Sequence, residues 1–174
     1  MNYLLISALM LATDWSEPAH VFHDENLCVS YQARIEGSYL VVKATVAPGW
    51  HTFTMDNRLR AQEALAKSGK PVLGMDQPTR IAVTGGWKVV GPWLQTEPRD
   101  FSKPANNWFS WGYEADAAFA AKVAGRGAGK INIRGQSCSD TNCRNVDVTV
   151  ELPASLKAAA GVESISGLVP VRLK

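Results

Sequence analysis

Residues 130–152, KINIRGQSCSDTNCRNVDVTVEL, hold two alternating apolar/polar runs joined by a short polar segment with a cysteine at each end. Alternation with period two marks half-buried strands, and here it also selects a register. Ile131, Ile133 and Gly135 share one face of the first run, with Lys130, Asn132, Arg134 and Gln136 on the other. In the second run Val146, Val148, Val150 and Leu152 point inward, and Asn145, Asp147, Thr149 and Glu151 point outward. A hairpin with Cys138 opposite Cys143 sets Ile133 against Val148, Ile131 against Val150, Arg134 against Asp147 and Lys130 against Glu151. Sliding the pairing by one residue mixes the faces, and sliding it by two loses both charge pairs. Residues 139–142 remain for the turn and have turn-forming composition.

Directly opposed residues of an antiparallel pair have Cα atoms roughly 4.5 or 5.5 Å apart, and a disulfide needs about 4.4 to 6.8 Å. The register therefore holds the two sulfurs at bonding distance. By parity both cysteines project from the polar face, where solvent or a partner is expected to reach them. Closing so short a loop stabilises a fold by only ~2 kcal/mol. Such a bond is a weak staple and a better tool. Cys143 precedes Arg144, while Cys138 has Asp140 nearby. A unit charge about 6 Å away at intermediate dielectric is worth ~1 kcal/mol. Arg144 is expected to favour the Cys143 thiolate and Asp140 to oppose that of Cys138. The thiolate is the attacking species, which makes Cys143 the exchanging sulfur.

A chain of 174 residues fits one domain with a real core. Net charge is only +2 and there is no basic cluster, so neither nucleic acid nor an anionic membrane surface is indicated as a partner. Fourteen glycines, nine prolines and many short β-rich runs point to an all-β sandwich. Residues 3–12, YLLISALMLA, are too short to span a bilayer and suit the core of a signal peptide, with the best cleavage point after Ala12. Residues 14–26 read as a lead-in. Residues 27–35 and 39–46 alternate around a hairpin signal, and residues 50–55 form a third short strand. Residues 56–67 change period and read as one inserted helix, capped by Asp56 or Asn57 and stopped at Ser68-Gly69, with its charges on a solvated face. Strands are expected on both sides of Gly85-Gly86. Pro92, Pro98 and Pro104 make part of residues 91–111 a long loop with an unusual aromatic load. Residues 114–124 form a further strand, and the glycines of residues 125–129 turn into the cysteine hairpin. After Pro153 the tail either adds an edge strand or stays loose.

Three cysteines leave Cys28 over, read as a lone thiol covered by a neighbouring element and given no role. His51 has no cysteine or carboxylate spacing beside it and reads as structural. Metal binding by the two cysteines with His51, His20 or His23 has no recognised ligand spacing.

GQSCSDTNC followed by a valine-rich strand resembles the N-terminal periplasmic domain of the DsbD thiol:disulfide interchange family and the single-domain disulfide bond corrector relatives. GWHTFTMDN (residues 49–57) and KPANNWFSWGYE (residues 103–114) add to the likeness, which runs over about residues 22–153. The resemblance implies an immunoglobulin-like β-sandwich with a redox-active Cys138/Cys143 pair passing electrons between thioredoxin-like proteins. It implies that the second cysteine makes the mixed disulfide. It also implies an aromatic cap over the disulfide, with Phe101, Trp108 and Phe109 as candidates. The cysteine spacing is one residue shorter than in the DsbD domain. No counterpart of that protein's membrane and thioredoxin-like domains is recognisable, so a separate membrane or soluble donor is expected.

The organisation expected is a signal peptide and lead-in over residues 1–19, an immunoglobulin-like domain over 20–153 and a tail over 154–174. The function expected is thiol:disulfide exchange by a monomer in the periplasm or another exported compartment, with no metal or organic cofactor. The alternative is a secreted immunoglobulin-like binding module with an inert hairpin disulfide, since fold alone does not decide function.

Overall fold

The computed structural model describes residues 15–69, 76–155 and 163–172, and the apolar run of residues 3–12 lies outside them. The fold is all-β and immunoglobulin-like with one short helix, and its strand pairs are antiparallel. The lead-in already contains a strand, β1 (Ala19–His23), which pairs with β2 (Asn26–Glu36) through a register shift at Val21/Phe22. A two-residue turn with Gly37 at φ 57° joins β2 to β3 (Tyr39–Val46). Glycine takes that left-handed conformation without steric cost. The third strand of the sequence reading is β4, only His51–Phe53.

The helix α1 (Asn57–Ser68) ends where expected, with Gly69 at φ 66° and its N–H bonded to the Leu65 carbonyl. Its start differs from expectation. Neither Asp56 nor Asn57 caps it by a side-chain bond. The Asp56 carboxylate accepts instead from Arg60 Nε, Gln95 Nε2 and the Arg172 N–H. The helix charges are therefore not all solvated: the Arg60 side chain is only 10 % exposed.

The expected break at Gly85-Gly86 and the expected turn over residues 125–129 are both absent. β5 (Arg80–Gln95) runs straight through Gly85-Gly86, and after the short β6 (Arg99–Asp100) and β7 (Trp111–Tyr113) the 22-residue β8 (Ala117–Cys138) runs straight through residues 125–129. The two glycine segments face each other in the β5–β8 ladder, with a register shift between Gly85 and Trp87. A Cβ on Gly86 would lie 2.0 Å from the Arg126 carbonyl oxygen, so the backbones approach there only because side chains are missing. Pro92 also lies inside β5, in the irregular stretch between Val89 and Trp93 where no ladder pair needs its missing N–H.

β8 organises the molecule. Its first part pairs with β3, β5 runs beside most of it, β9 (Cys143–Leu152) pairs with its second part, and β4 pairs with its last two residues. β9 also packs across β1 and β2 without pairing to them, so β8 carries the chain from one layer of the sandwich to the other. Val29, Tyr31, Ile35, Leu40, Val42, Phe119, Ile131, Ile133, Val146, Val150 and Leu152 fill the space between. Fully burying a side chain of this size is worth roughly 1.5–3 kcal/mol. In the tail β10 (Val169–Pro170) takes the edge-strand option and pairs with β5.

Candidate functional site

The β8–β9 hairpin has the register read from the sequence: Ile131 opposite Val150, Ile133 opposite Val148, Arg134 opposite Asp147, Lys130 opposite Glu151 and Cys138 opposite Cys143. Lys130 Nζ lies 2.9 Å from Glu151 Oε1, and Arg134 Nε lies 3.3 Å from Asp147 Oδ1. At the turn end Cys138 and Cys143 form a disulfide with Cα atoms 4.0 Å apart. The turn is closed by the Ser139 N–H donating to the Asn142 carbonyl at 2.7 Å, and by the Asn142 N–H donating to Ser139 Oγ at 3.1 Å.

The expectation that both sulfurs face solvent needs correcting. Cys143 is exposed, but Cys138 is only 3 % exposed. Parity does put both on the face of Arg134 and Asp147. At the hairpin's end, however, that face is covered by β4 on one side and the residue 99–111 excursion above. β4 pairs there with Thr52 opposite Ser137 and His51 opposite Cys138. Ser137 Oγ donates to the His51 carbonyl at 3.1 Å, and Thr52 Oγ1 donates to the Gln136 carbonyl at 3.0 Å.

The excursion is not the unstructured loop its prolines suggest. β6 pairs with β7, and Lys103 and Trp108 exchange backbone bonds of 2.7 and 3.2 Å. Pro104–Asn106 make one 3-10 turn at the tip, left through Asn107 at φ 54°. This small hairpin is tied down at Trp108, whose indole N–H donates to Asp76 Oδ2 at 3.1 Å. Asn57 fixes both neighbours, since its Nδ2 donates to the Asp76 carbonyl and its Oδ1 accepts from the Trp111 N–H.

Between the two hairpins lies a cavity of about 360 Å³ whose lining includes Cys138, Cys143, Asp140, His51, Trp108 and Lys103. Of the aromatic candidates, Trp108 is at this cavity. Phe101 stands behind it, stacked on the His51 ring with centroids 5.3 Å apart. Phe109 is half-buried and does not line the cavity. Asp140 is in the lining, whereas Arg144 is not brought to the sulfurs. It pairs with Ser137, so by strand alternation its side chain leaves the opposite face. Its charge acts on Cys28, a fully buried thiol whose pKa is raised by burial, against which Arg144 pulls.

His51 is the residue that sequence reasoning left aside. Its ring meets Phe53 edge-on at 5.2 Å as well as stacking on Phe101. Burial pushes its pKa below the usual histidine value, with Lys103 adding to that, while Asp76, Glu114 and Asp140 pull the other way. Nothing in the local sequence signals this position, because β4 is three residues long and its partner Cys138 lies far along the chain.

No protein-family model matches the chain, and no curated protein matches it. Among solved structures it is similar to the N-terminal periplasmic domain of ScsB from Proteus mirabilis, with a TM-score of 0.53 and 16 % identity over 82 % of this chain. The match takes in 53 % of that chain, so this chain spans about half its length. The N-terminal domain of DsbD from Neisseria meningitidis, in the reduced form, matches at a TM-score of 0.41 and 12 % identity, over 72 % of this chain and 85 % of that one. At such identities the likeness to the ScsB domain is one of fold.

Proposed function

We propose that this chain is a thiol:disulfide exchange module of an exported compartment, passing reducing equivalents between thioredoxin-like proteins through Cys138 and Cys143. In the reduced protein the Cys143 thiolate attacks a partner's disulfide and forms a mixed disulfide. Cys138 then attacks the Cys143 sulfur, releases the partner as a dithiol and leaves the internal bond, which a separate thioredoxin-like or membrane donor reduces again. In each cycle two electrons enter from the donor and two leave to the partner, and the chemistry requires no metal or organic cofactor.

The observation that carries this reading is the asymmetry of the pair. One sulfur is exposed at the rim of a cavity and the other is buried beside it. An exposed sulfur suits intermolecular attack, and a sheltered one suits the intramolecular closure that follows. The choice of Cys143 as attacker rests on that exposure, since Arg144 sits on the other face.

Cys138→Ala tests it. The variant should accumulate a mixed disulfide through Cys143 with an exported thioredoxin-like protein, and Cys143→Ala should trap little. A redox titration should place the wild-type bond between about −180 and −270 mV, the range of exchange proteins. A value well below about −300 mV, with no trapped partner, would instead indicate a binding module with a structural bridge.

A further inference from the structure

We infer, building on the exchange reading above, that His51 takes the proton of Cys138 and so enables the buried sulfur to close the mixed disulfide. The placement comes from the ladder. His51 is opposite Cys138 on one side, and Cys143 is opposite Cys138 on the other, so the three side chains form a row across β4, β8 and β9 on one face. Directly opposed side chains have Cβ atoms roughly 4.5–5.5 Å apart, which puts the imidazole beside the central sulfur and both at the same cavity.

The surroundings suit a group that moves a proton. Phe101 on the ring face and Phe53 at its edge hold the imidazole in place without using its nitrogens. Among the described residues no hydrogen bond reaches either ring nitrogen, so both are free for the sulfur and the cavity. Burial keeps the ring neutral near pH 7 and ready to accept. The charged groups that bear on it are Asp76 from the segment before β5, Glu114 after β7, Asp140 from the cysteine turn and Lys103 from the overlying hairpin. Arg99 lies beyond the stacked Phe101. Three carboxylates against one lysine support the imidazolium once it forms. Cys138 needs such a neighbour, because the residue is only 3 % exposed and meets little bulk water to take its proton, and unpaired charge is costly there.

The step balances. The Cys138 S–H proton passes to a His51 ring nitrogen, and the thiolate attacks Cys143 Sγ. The Cys138–Cys143 bond forms as the mixed disulfide breaks, and its electron pair leaves on the partner's sulfur. That sulfur is protonated by the imidazolium or by water. The dithiol of this chain is oxidised and the partner's disulfide is reduced.

Ellman's reagent separates this step from the first attack and needs no protein partner. With the reduced wild type, thionitrobenzoate should appear in two phases, the first from attack by Cys143 and the second from closure by Cys138. Cys138→Ala should lose the second phase and supplies the background from Cys28. His51→Gln should leave the first phase unchanged and slow the second at pH 7 by about a hundredfold, the low end for a positioned acid–base group. The wild-type second phase should also fall on acidification with a midpoint below the ordinary histidine value of about 6.5, a break that a merely structural role would not produce. An unaltered second phase in His51→Gln, equal slowing of both phases, or a wild-type profile without that break would overturn the role of His51. A wild type with no second phase at all would overturn the exchange reading itself.

Discussion

Asp56 and His51 lie close together in sequence and carry the two ionisable side chains that matter most in this part of the fold, yet they are held in opposite ways. The Asp56 carboxylate accepts from Arg60 and Gln95 at 2.9 Å and from the Arg172 N–H at 3.1 Å, which ties α1, β5 and the C-terminal segment into one knot. Among the described residues the His51 imidazole makes no hydrogen bond and is held by ring contacts with Phe53 and Phe101. A saturated buried charge fixes structure, because every direction in which it could act is already used. A half-buried group with free nitrogens beside a sulfur leaves its chemistry available. Burial by itself therefore does not separate scaffold from site in this molecule; the count of satisfied partners does.

The largest effect should come from breaking the saturated side. Asp56→Ala removes the partner of a largely buried Arg60 and should cost about 3–5 kcal/mol, the usual result of orphaning one half of a buried pair. Urea unfolding at pH 7 measures it. Acid should act in the same place. Burial alone would raise the Asp56 pKa, but the bonds from Arg60, Gln95 and Arg172 outweigh it and hold the carboxyl below its usual value. Glu36 is likewise held low, its burial outweighed by bonds from Ser164 and Arg34. Both therefore contribute stability that is fully present above the ordinary carboxylate range and is lost as pH falls through the lowered folded values. An Asp56→Ala protein as stable as His51→Gln would break the contrast.

Reducing the disulfide should cost less, about 2 kcal/mol by loop entropy, because the hairpin is held independently by its apolar pairs. Urea midpoints with and without dithiothreitol measure the difference. A much larger loss would make the bond a staple and draw the site toward the scaffold class.

For His51→Gln the stability effect should be smaller again and visible mainly in its pH dependence. The folded imidazole binds its proton at lower pH than the unfolded chain does, because burial opposes the charge. As pH falls from about 7 through the ordinary value near 6.5, the unfolded state gains protons first and wild-type stability declines. The decline ends below the folded pKa. The glutamine variant should lack this slope while keeping the same stability at pH 8. Parallel curves for the two proteins would mean that the imidazole is not held neutral by the fold.

The contrast also explains what could be read from the chain. The β8–β9 register was legible because alternation and two opposite-charge pairs over-determine it within one contiguous stretch. His51 was not, because its significance comes from pairing with Cys138 across half of the chain through a three-residue strand. The same holds for the glycines. Gly85-Gly86 and residues 125–129 each look like a turn when read locally, and only their close approach to each other makes them continuous strand. Cys138 followed its parity and still became buried, because the β6–β7 hairpin that covers it is built from residues whose prolines argue for loop. Asp56 or Asn57 fits a cap when read locally, but two of the partners that the Asp56 carboxylate takes, Gln95 and Arg172, are remote.

The smallest effect belongs to the base of the cysteine hairpin, where Lys130–Glu151 and Arg134–Asp147 stand exposed. Exposed pairs of this kind are worth about 0.2–1 kcal/mol, so Lys130→Ala should shift a urea midpoint only slightly. A double-mutant cycle with Glu151→Ala should give a coupling energy within that range that shrinks with added salt. These charges chose the register against its neighbours, where the difference between a matched and a mismatched pair counts, but they need not hold it once the apolar faces have met. A coupling above about 1 kcal/mol would mean that the hairpin depends on its surface charges, and that the geometry at Cys138 and Cys143 is set partly from the far end. If the coupling stays small while Ile133→Ala lowers stability by about 2–5 kcal/mol, as expected for a core truncation, the sulfur pair is aimed by the core beneath it.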